Sequence, residues 1–215
     1  MIFITTICIN VISILLLIYQ NHVLQNYDNT AAELSKIELL DIIVPISGVF
    51  QVVIFIVAII FFVRWFKKAY GNLIRRHQPM EYSENGSAWG FFIPIINLYR
   101  PITTAKEIYL KTQHAIKEYN SNFKVDTETS FIVVWWILYI VNNFFANYAS
   151  KKIDAAYDIP TFVDANTYLI ISEVISIVAI LGVLYLIHKI TKVETLLKET
   201  NESVSSIDEI GTPIV

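Results

Sequence analysis

Cysteine is almost missing from this chain. The one residue, Cys8, lies in an apolar run, so neither an intramolecular disulfide nor a thiolate metal site can form within one chain. Charge is sparse as well. Asp, Glu, Lys and Arg make up 16% of the 215 residues, against roughly 25% in an average soluble domain. The net charge of −3 gives no support to nucleic-acid binding. His22, His77, His114 and His188 lie far apart, without metal-like spacing to acids. Glycine numbers six, and the Asn85-Gly86-Ser87 turn has too few to cradle phosphate. No Ser-His-Asp order and no nucleophile elbow occurs. The expectation is therefore no enzyme, no metal and no cofactor.

What the chain does have is apolar length. Hydrophobic residues make up 55% of it, the mean hydropathy is +0.53, and the charges cluster so that long windows stay empty. This predicts an all-α, polytopic integral membrane protein. Ile2 to Tyr19 is eighteen residues, roughly 27 Å of helix against a hydrocarbon core of about 30 Å. It lacks the basic start and small-residue cleavage site of a signal peptide. Ile42 to Val63 is an uncharged run of 22 residues, with Pro45 and Gly48 near its start, where proline costs least. Phe131 to Ala149 and Tyr168 to His188 complete four predicted spans. Residues 1–190 form one membrane domain, and 191–215 a cytoplasmic tail that is helical at first and disordered at its end.

Between the second and third spans lies the most distinctive stretch, residues 64–120. Trp65, Ala69 and Leu73 recur at helical spacing, with Phe66 and Tyr70 beside them and Lys67, Lys68, Arg75 and Arg76 opposite. This predicts a helix that leaves the bilayer and stays at its surface. Trp89 to Leu98 is ten largely apolar residues broken by Pro94, too short to span and suited to a re-entrant or interfacial segment. From Pro101 a second amphipathic helix follows, with Ile102, Ala105, Ile108 and Ile116 on one stripe and Lys106, Glu107, Lys111, Lys117 and Glu118 facing away.

Lys and Arg near span ends set orientation. Arg64 to Gln78 holds five basic residues and no acid, while residues 20–41 hold one lysine. The central region is expected in the cytoplasm, and with four crossings so are both termini. Lys151 and Lys152 oppose this. Trp65, Trp89, Trp135 and Trp136 support it, as aromatic rings at the cytoplasmic interface.

The central block also resembles a known family. WFKKAYGNL, then EYSENGSAWGFFIPIINLYRPITTAKEIY, then a later Trp-Trp pair are similar to the domain-of-unknown-function 4328 family of bacterial multi-span membrane proteins. The matching positions are Trp65, Phe66, Ala69, Tyr70, Asn72 and Leu73 in the first segment. In the second they are Trp89, Gly90, Phe92, Pro94, Asn97, Leu98, Arg100 and Pro101. Glu107 follows, then Trp135, Trp136 and Asn143 in the third span. The likeness covers about residues 42–190 and implies several spans in a bacterial cytoplasmic membrane with no established activity. The short polar leader expected before the first span is missing here.

Site candidates are few. Glu173 is the one carboxylate well inside a predicted span, and an intramembrane acid is costly. Asn142, Asn143 and Asn147 lie at a similar depth, suited to interhelical hydrogen bonds or to a polar cavity. Arg64, Lys67, Lys68, Arg75 and Arg76 set topology or attract anionic lipid headgroups. Asn97, Arg100 and Glu107 are placed to hold backbone groups that a broken helix leaves unpaired. The leading expectation is a non-enzymatic membrane scaffold or bilayer sensor, with the lipid bilayer and a homo-oligomeric or membrane-protein partner. The alternative is an oligomeric proton or small-solute transporter built around Glu173 and the asparagines.

Overall fold

The computed structural model describes residues 1–28 and 30–210, without the side chains of 202–210. Among them there are helices and turns and no strand: α1 (Ile2–Gln25), α2 (Ala31–Arg75), α3 (Glu84–Trp89), a single 3₁₀ turn (Ile96–Leu98), α4 (Arg100–Tyr119), α5 (Ser130–Asp154) and α6 (Ile159–Ile210). Four of them, α1, α2, α5 and α6, are long and apolar enough to cross a membrane. The protein is an all-α membrane protein.

The helices outrun the apolar runs that announce them. α2 has 45 residues, roughly 67 Å at 1.5 Å per residue. Its start is set by a local cap rather than by hydropathy. Thr30 Oγ1 accepts the Glu33 N–H at 3.4 Å, and Glu33 reaches back to the Asp28 N–H at 2.8 Å, a variant of the Thr-x-x-Glu capping box. Residues 31–41 therefore join the second span in one continuous helix. Pro45 consequently lies in the helix interior, not at its start. α6 likewise begins at Ile159, nine residues before the apolar run. There Asp158 Oδ1 accepts the Thr161 N–H at 2.9 Å, and Thr161 Oγ1 accepts the Asp158 N–H at 3.1 Å. Pro160 falls in that first turn, where its missing N–H costs nothing. α6 also runs on to Ile210, so most of the tail is helix; its end, 211–215, lies outside the described residues.

The chain packs as two compact units, residues 1–61 with 137–182, and residues 62–136 with 183 onward. The first has its polarity reversed relative to a soluble core. Its outer face carries exposed Ile42, Ile46, Val49, Phe50 and Phe144, while Thr6, Asn10, Gln20, Asn166 and Ser172 are buried. That distribution suits lipid outside and hydrogen bonds between helices inside.

The second unit has a dry aromatic and aliphatic core. Phe66, Ala69, Tyr70 and Leu73 of α2, Ile108 and Ile116 of α4, Trp135 and Trp136 of α5, and Leu186 and Ile190 of α6 are all at most 2% exposed. The stripe expected to lie on a bilayer surface is thus buried in protein. α2 ends at a left-handed His77 (φ 58°), with Gln78 N–H bonded to Leu73 O and His77 N–H to Ile74 O, the pairing of a Schellman motif.

The link from α4 to α5 is pinned by Asp126. Its backbone N–H donates to Gln113 Oε1 (2.7 Å), its carboxylate accepts Tyr109 Oη–H (2.9 Å), and Lys189 Nζ is 3.5 Å away. The Glu128 backbone N–H, then Tyr109 and Lys189, hold the Asp126 carboxyl below the usual range. Burial, with Asp126 second, pushes Tyr109 up to about 12. A depressed acid contributes stability above its unfolded pKa of about 3.9. That contribution disappears as pH falls through the folded value. The raised tyrosine contributes fully below about 10 and loses its share as pH rises through about 12. Thermal melts of wild type and Asp126→Asn should therefore differ at pH 7 and converge as pH falls through the lowered Asp126 value; a gap independent of pH would rule out this pinning.

Candidate functional site

In the first unit, polar side chains from all four of its helices converge. Thr6, Asn10 and Ser13 recur on one face of α1. Gln51 comes from α2, Asn142 and Asn143 from α5, and Ser172, Glu173 and Ser176 from α6. At the centre is Gln51 Nε2. It lies 2.8 and 2.7 Å from the two Glu173 carboxylate oxygens and 2.9 Å from Asn10 Oδ1. Two amide protons thus serve three acceptors. Asn10 Nδ2 passes the network on to Ser176 Oγ at 3.0 Å, and Ser13 Oγ sits 3.4 Å from Glu173.

A cavity of about 210 Å³ adjoins this cluster, lined by Asn10, Gln51, Asn142, Asn143, Ser172 and Glu173 among others. Two features define its chemistry. The lining includes no Lys, Arg or His, and Asn142 Oδ1 is buried without a donor. The cavity is therefore rich in acceptors around an acid. A second polar layer lies ten residues further along α1, roughly 15 Å. There Asn166 Nδ2 donates to Gln20 Oε1 (3.0 Å) and Asn21 Oδ1 (2.9 Å).

Glu173, Asn142 and Asn143 meet at one cavity. Asn147 does not join them: it is exposed and donates to the Asn143 carbonyl of its own helix at 2.7 Å. Asn143 also bonds within its helix, to the Tyr139 carbonyl at 2.8 Å. The expected interhelical bonds among these asparagines are replaced by i to i−4 bonds, because a short amide readily reaches the carbonyl one turn back. The interhelical bonds come instead from Asn10, Gln51, Ser13 and Ser176. Their signal in the sequence was an uncharged polar residue at the centre of an apolar run.

The family-like positions mostly gather in the second unit. Tyr70 Oη donates to Glu107 Oε2 (2.8 Å) and accepts the Tyr82 N–H (2.8 Å), while Glu107 Oε1 accepts the Glu81 N–H (2.7 Å). Lys111 Nζ bonds both Glu107, at 2.6 Å, and the Pro79 carbonyl. Glu107 thus satisfies backbone of the link between α2 and α3, not of the segment broken at Pro94. It does so facing inward at 10% side-chain exposure, not away from the apolar stripe. Lys111 follows it, since one helical turn places the ammonium beside the carboxylate. Arg100 crosses the Tyr82 ring at 4.1 Å and lies where a Cβ on Gly90 would be. Gly71 is less constrained, as a Cβ there would come 2.5 Å from the Glu84 carboxyl, the movable end of a flexible side chain.

The segment around Pro94 divides in two. Phe91 points inward, edge-on to Phe66 at 5.0 Å and to Trp136 at 5.8 Å. Trp89, Phe92, Ile93, Ile95, Leu98 and Tyr99 are exposed, Ile95 by 78%, as is Pro94, while Asn97 is half-buried. Pro101 is buried in the first turn of α4. Trp135 and Trp136 are each 2% exposed. They are core residues and not interface rings, because the dry core of this unit extends to the start of α5. Among the five basic candidates, Arg75 pairs with Glu84 at 3.0 Å, Lys67 and Arg76 are half-buried, and Arg64 and Lys68 are exposed; the neighbouring Asn72 donates to Glu194 at 3.2 Å.

Among the described residues, no three His, Cys, Asp or Glu side chains are grouped so as to hold a metal ion. No curated protein and no solved structure matches the chain. The profile of the domain of unknown function DUF4328 matches residues 28–192, which takes in α2 through most of α6, the exposed loop, and Gln51, Asn142, Asn143 and Glu173 of the polar cluster, but not its α1 residues. The chain belongs to the DUF4328 family.

Proposed function

We propose that this is a non-enzymatic membrane carrier that holds a small cation, a proton or a compact protonated amine, in the cavity beside Glu173. The observation that carries the reading is an acceptor-rich cavity with no cationic side chain in its lining, set among apolar helices. A carboxylate in such surroundings is costly unless a cation or proton balances it. Gln51 fixes the carboxylate in place, and Asn142 Oδ1 offers a second acceptor to an incoming N–H. At about 210 Å³ the space suits a few waters or one small solute.

The test is flux into liposomes holding the purified chain, with pyranine reporting protons and labelled methylammonium as the amine probe. Glu173→Gln, nearly isosteric, is expected to lower uptake at least about tenfold, the equivalent of ~1.4 kcal/mol. Uptake equal to wild type would remove Glu173 from the reading.

A second reading, a scaffold or bilayer sensor, draws support from the exposed apolar face of the Trp89–Tyr99 loop, a surface of the kind that enters lipid or a partner. Recovery of monomer alone after crosslinking in native membranes would count against the partner. The charge pattern around Arg64–Arg76 supports a place in a bacterial cytoplasmic membrane with both termini inside. Reporter fusions after Gln78 and Ser150 that report the same side would overturn that orientation.

A further inference from the structure

The second unit contains a groove of about 590 Å³ that the Glu173 reading leaves unused. α2 supplies Trp65, Lys68, Asn72, Arg75 and Arg76, α4 supplies Thr112, and α6 supplies Thr191, Glu194, Thr195 and Lys198. Its floor is apolar, with Ala69, Leu73 and Leu197 at most 3% exposed. Four cationic side chains therefore surround one acid, and Glu194 is already engaged by Asn72 at 3.2 Å. Arg75 is partly occupied by Glu84 and Asn72. Lys68 and Arg76 approach from one wall and act on the Glu194 carboxylate, and with four cations to one acid the lining keeps an excess of positive charge. Thr112 already donates to the Ile108 carbonyl, so the hydroxyl groups of Thr191 and Thr195 are the nearest neutral donors.

We propose that this groove binds a phosphate group, carried either by an anionic lipid headgroup or by a soluble phosphate ester. Position along the helices favours that chemistry. Lys68 to Arg76 lie four to twelve residues past Arg64, the end of the apolar run, or roughly 6 to 18 Å along α2. Thr191 to Lys198 lie three to ten residues past His188, roughly 5 to 15 Å along α6. The near ends of those ranges, at Lys68 and Thr191, fall in the polar layer of a bilayer, roughly 5–7 Å deep on each side, and the far ends extend beyond it. Trp65 sits at the near end with its indole half-buried, as amphipathic rings do at that level. The site is more selective than the run of basic residues on α2 suggests, because Arg64 and Lys67 do not line it.

The test uses the full chain in an uncharged detergent. Short-chain phosphatidylglycerol, short-chain phosphatidylcholine and glycerol phosphate are titrated separately, with the melting temperature and native mass spectrometry as readouts. Phosphatidylglycerol or glycerol phosphate is expected to bind, and whichever does identifies the source of the phosphate. Lys68→Gln/Arg76→Gln should weaken that binding at least about tenfold, given the contribution of each basic residue to a phosphate surface. The control, Arg64→Gln/Lys67→Gln, removes the same charge from the same helix outside the groove and should leave binding within about twofold. Equal weakening by the two double variants would overturn the proposal, since general surface charge would then explain the binding. So would the absence of binding by both phosphate probes, or phosphatidylcholine binding as tightly as phosphatidylglycerol. Because Glu173 lies in the other unit, failure here leaves the carrier reading standing, and the reverse holds as well.

Discussion

Phe66→Ala is expected to destabilise the second unit by about 3–5 kcal/mol, the range for a fully buried phenylalanine whose cavity does not refill. Phe66 is 0% exposed. Its ring meets Phe62 at 5.9 Å and Phe91 at 5.0 Å, the latter edge-on at 89°. Removing it costs the burial of the ring and these aromatic contacts, together with a third to Trp65 at 6.3 Å. Collapse into the space is restricted, because Phe91 is the one inward anchor of an otherwise exposed loop. The measurement is the denaturation midpoint in micelles, followed by Trp135 and Trp136 fluorescence. Phe66→Leu, which keeps most of the volume, should cost less than half as much. A loss under about 1 kcal/mol for the alanine variant would mean that this core is not close-packed.

Glu107→Ala should have the next largest effect, about 2–4 kcal/mol, reduced from the buried-pair range because Lys111 retains some solvent. Three donors converge on this carboxylate: Tyr70 Oη, the Glu81 N–H and Lys111 Nζ. Alanine takes this acceptor from all three; Lys111 keeps the Pro79 carbonyl, and the Tyr70 hydroxyl group, on a fully buried residue, loses the most. The link from Gln78 to Ser83 would come loose, since Tyr82 N–H is held by that same hydroxyl. Proteolysis at Glu81–Tyr82 should accelerate in parallel with the drop in melting temperature. Glu107→Gln keeps an acceptor oxygen but no charge for Lys111, so an intermediate effect is expected. Unchanged cleavage in Glu107→Ala would show that other contacts hold the link.

Both residues were visible in the sequence, but for different reasons from those the structure gives. Phe66 looked like part of a lipid-facing stripe and Glu107 like a solvated charge. Periodicity identifies a helix and its apolar face. It does not say whether lipid or protein covers that face, because both are equally apolar solvents for a phenylalanine. The same limit explains Trp135 and Trp136, which read as interface rings and are core.

The region opened by Trp65 and closed by Pro101 carries most of the family-like positions. Its residues are distinctive because they must fit one another. Gly90 yields to the Arg100 side chain, Arg100 covers Tyr82, and Tyr70 joins Glu107 to the link.

The sequence by itself determined the class of this protein. Long uncharged runs have no stable solution in water, so four helices in a membrane followed from composition and length alone. The caps also were local, and Asp158 with Thr161 shows how a helix start can be read once hydropathy is set aside. Only the tertiary structure decided which polar groups meet. Asn10, Gln51 and Glu173 are 41 and 122 residues apart, and no spacing rule links positions on separate helices. Their convergence depends on how each helix is rotated about its axis. That rotation is set by the sum of many contacts, each too small to see in a single residue.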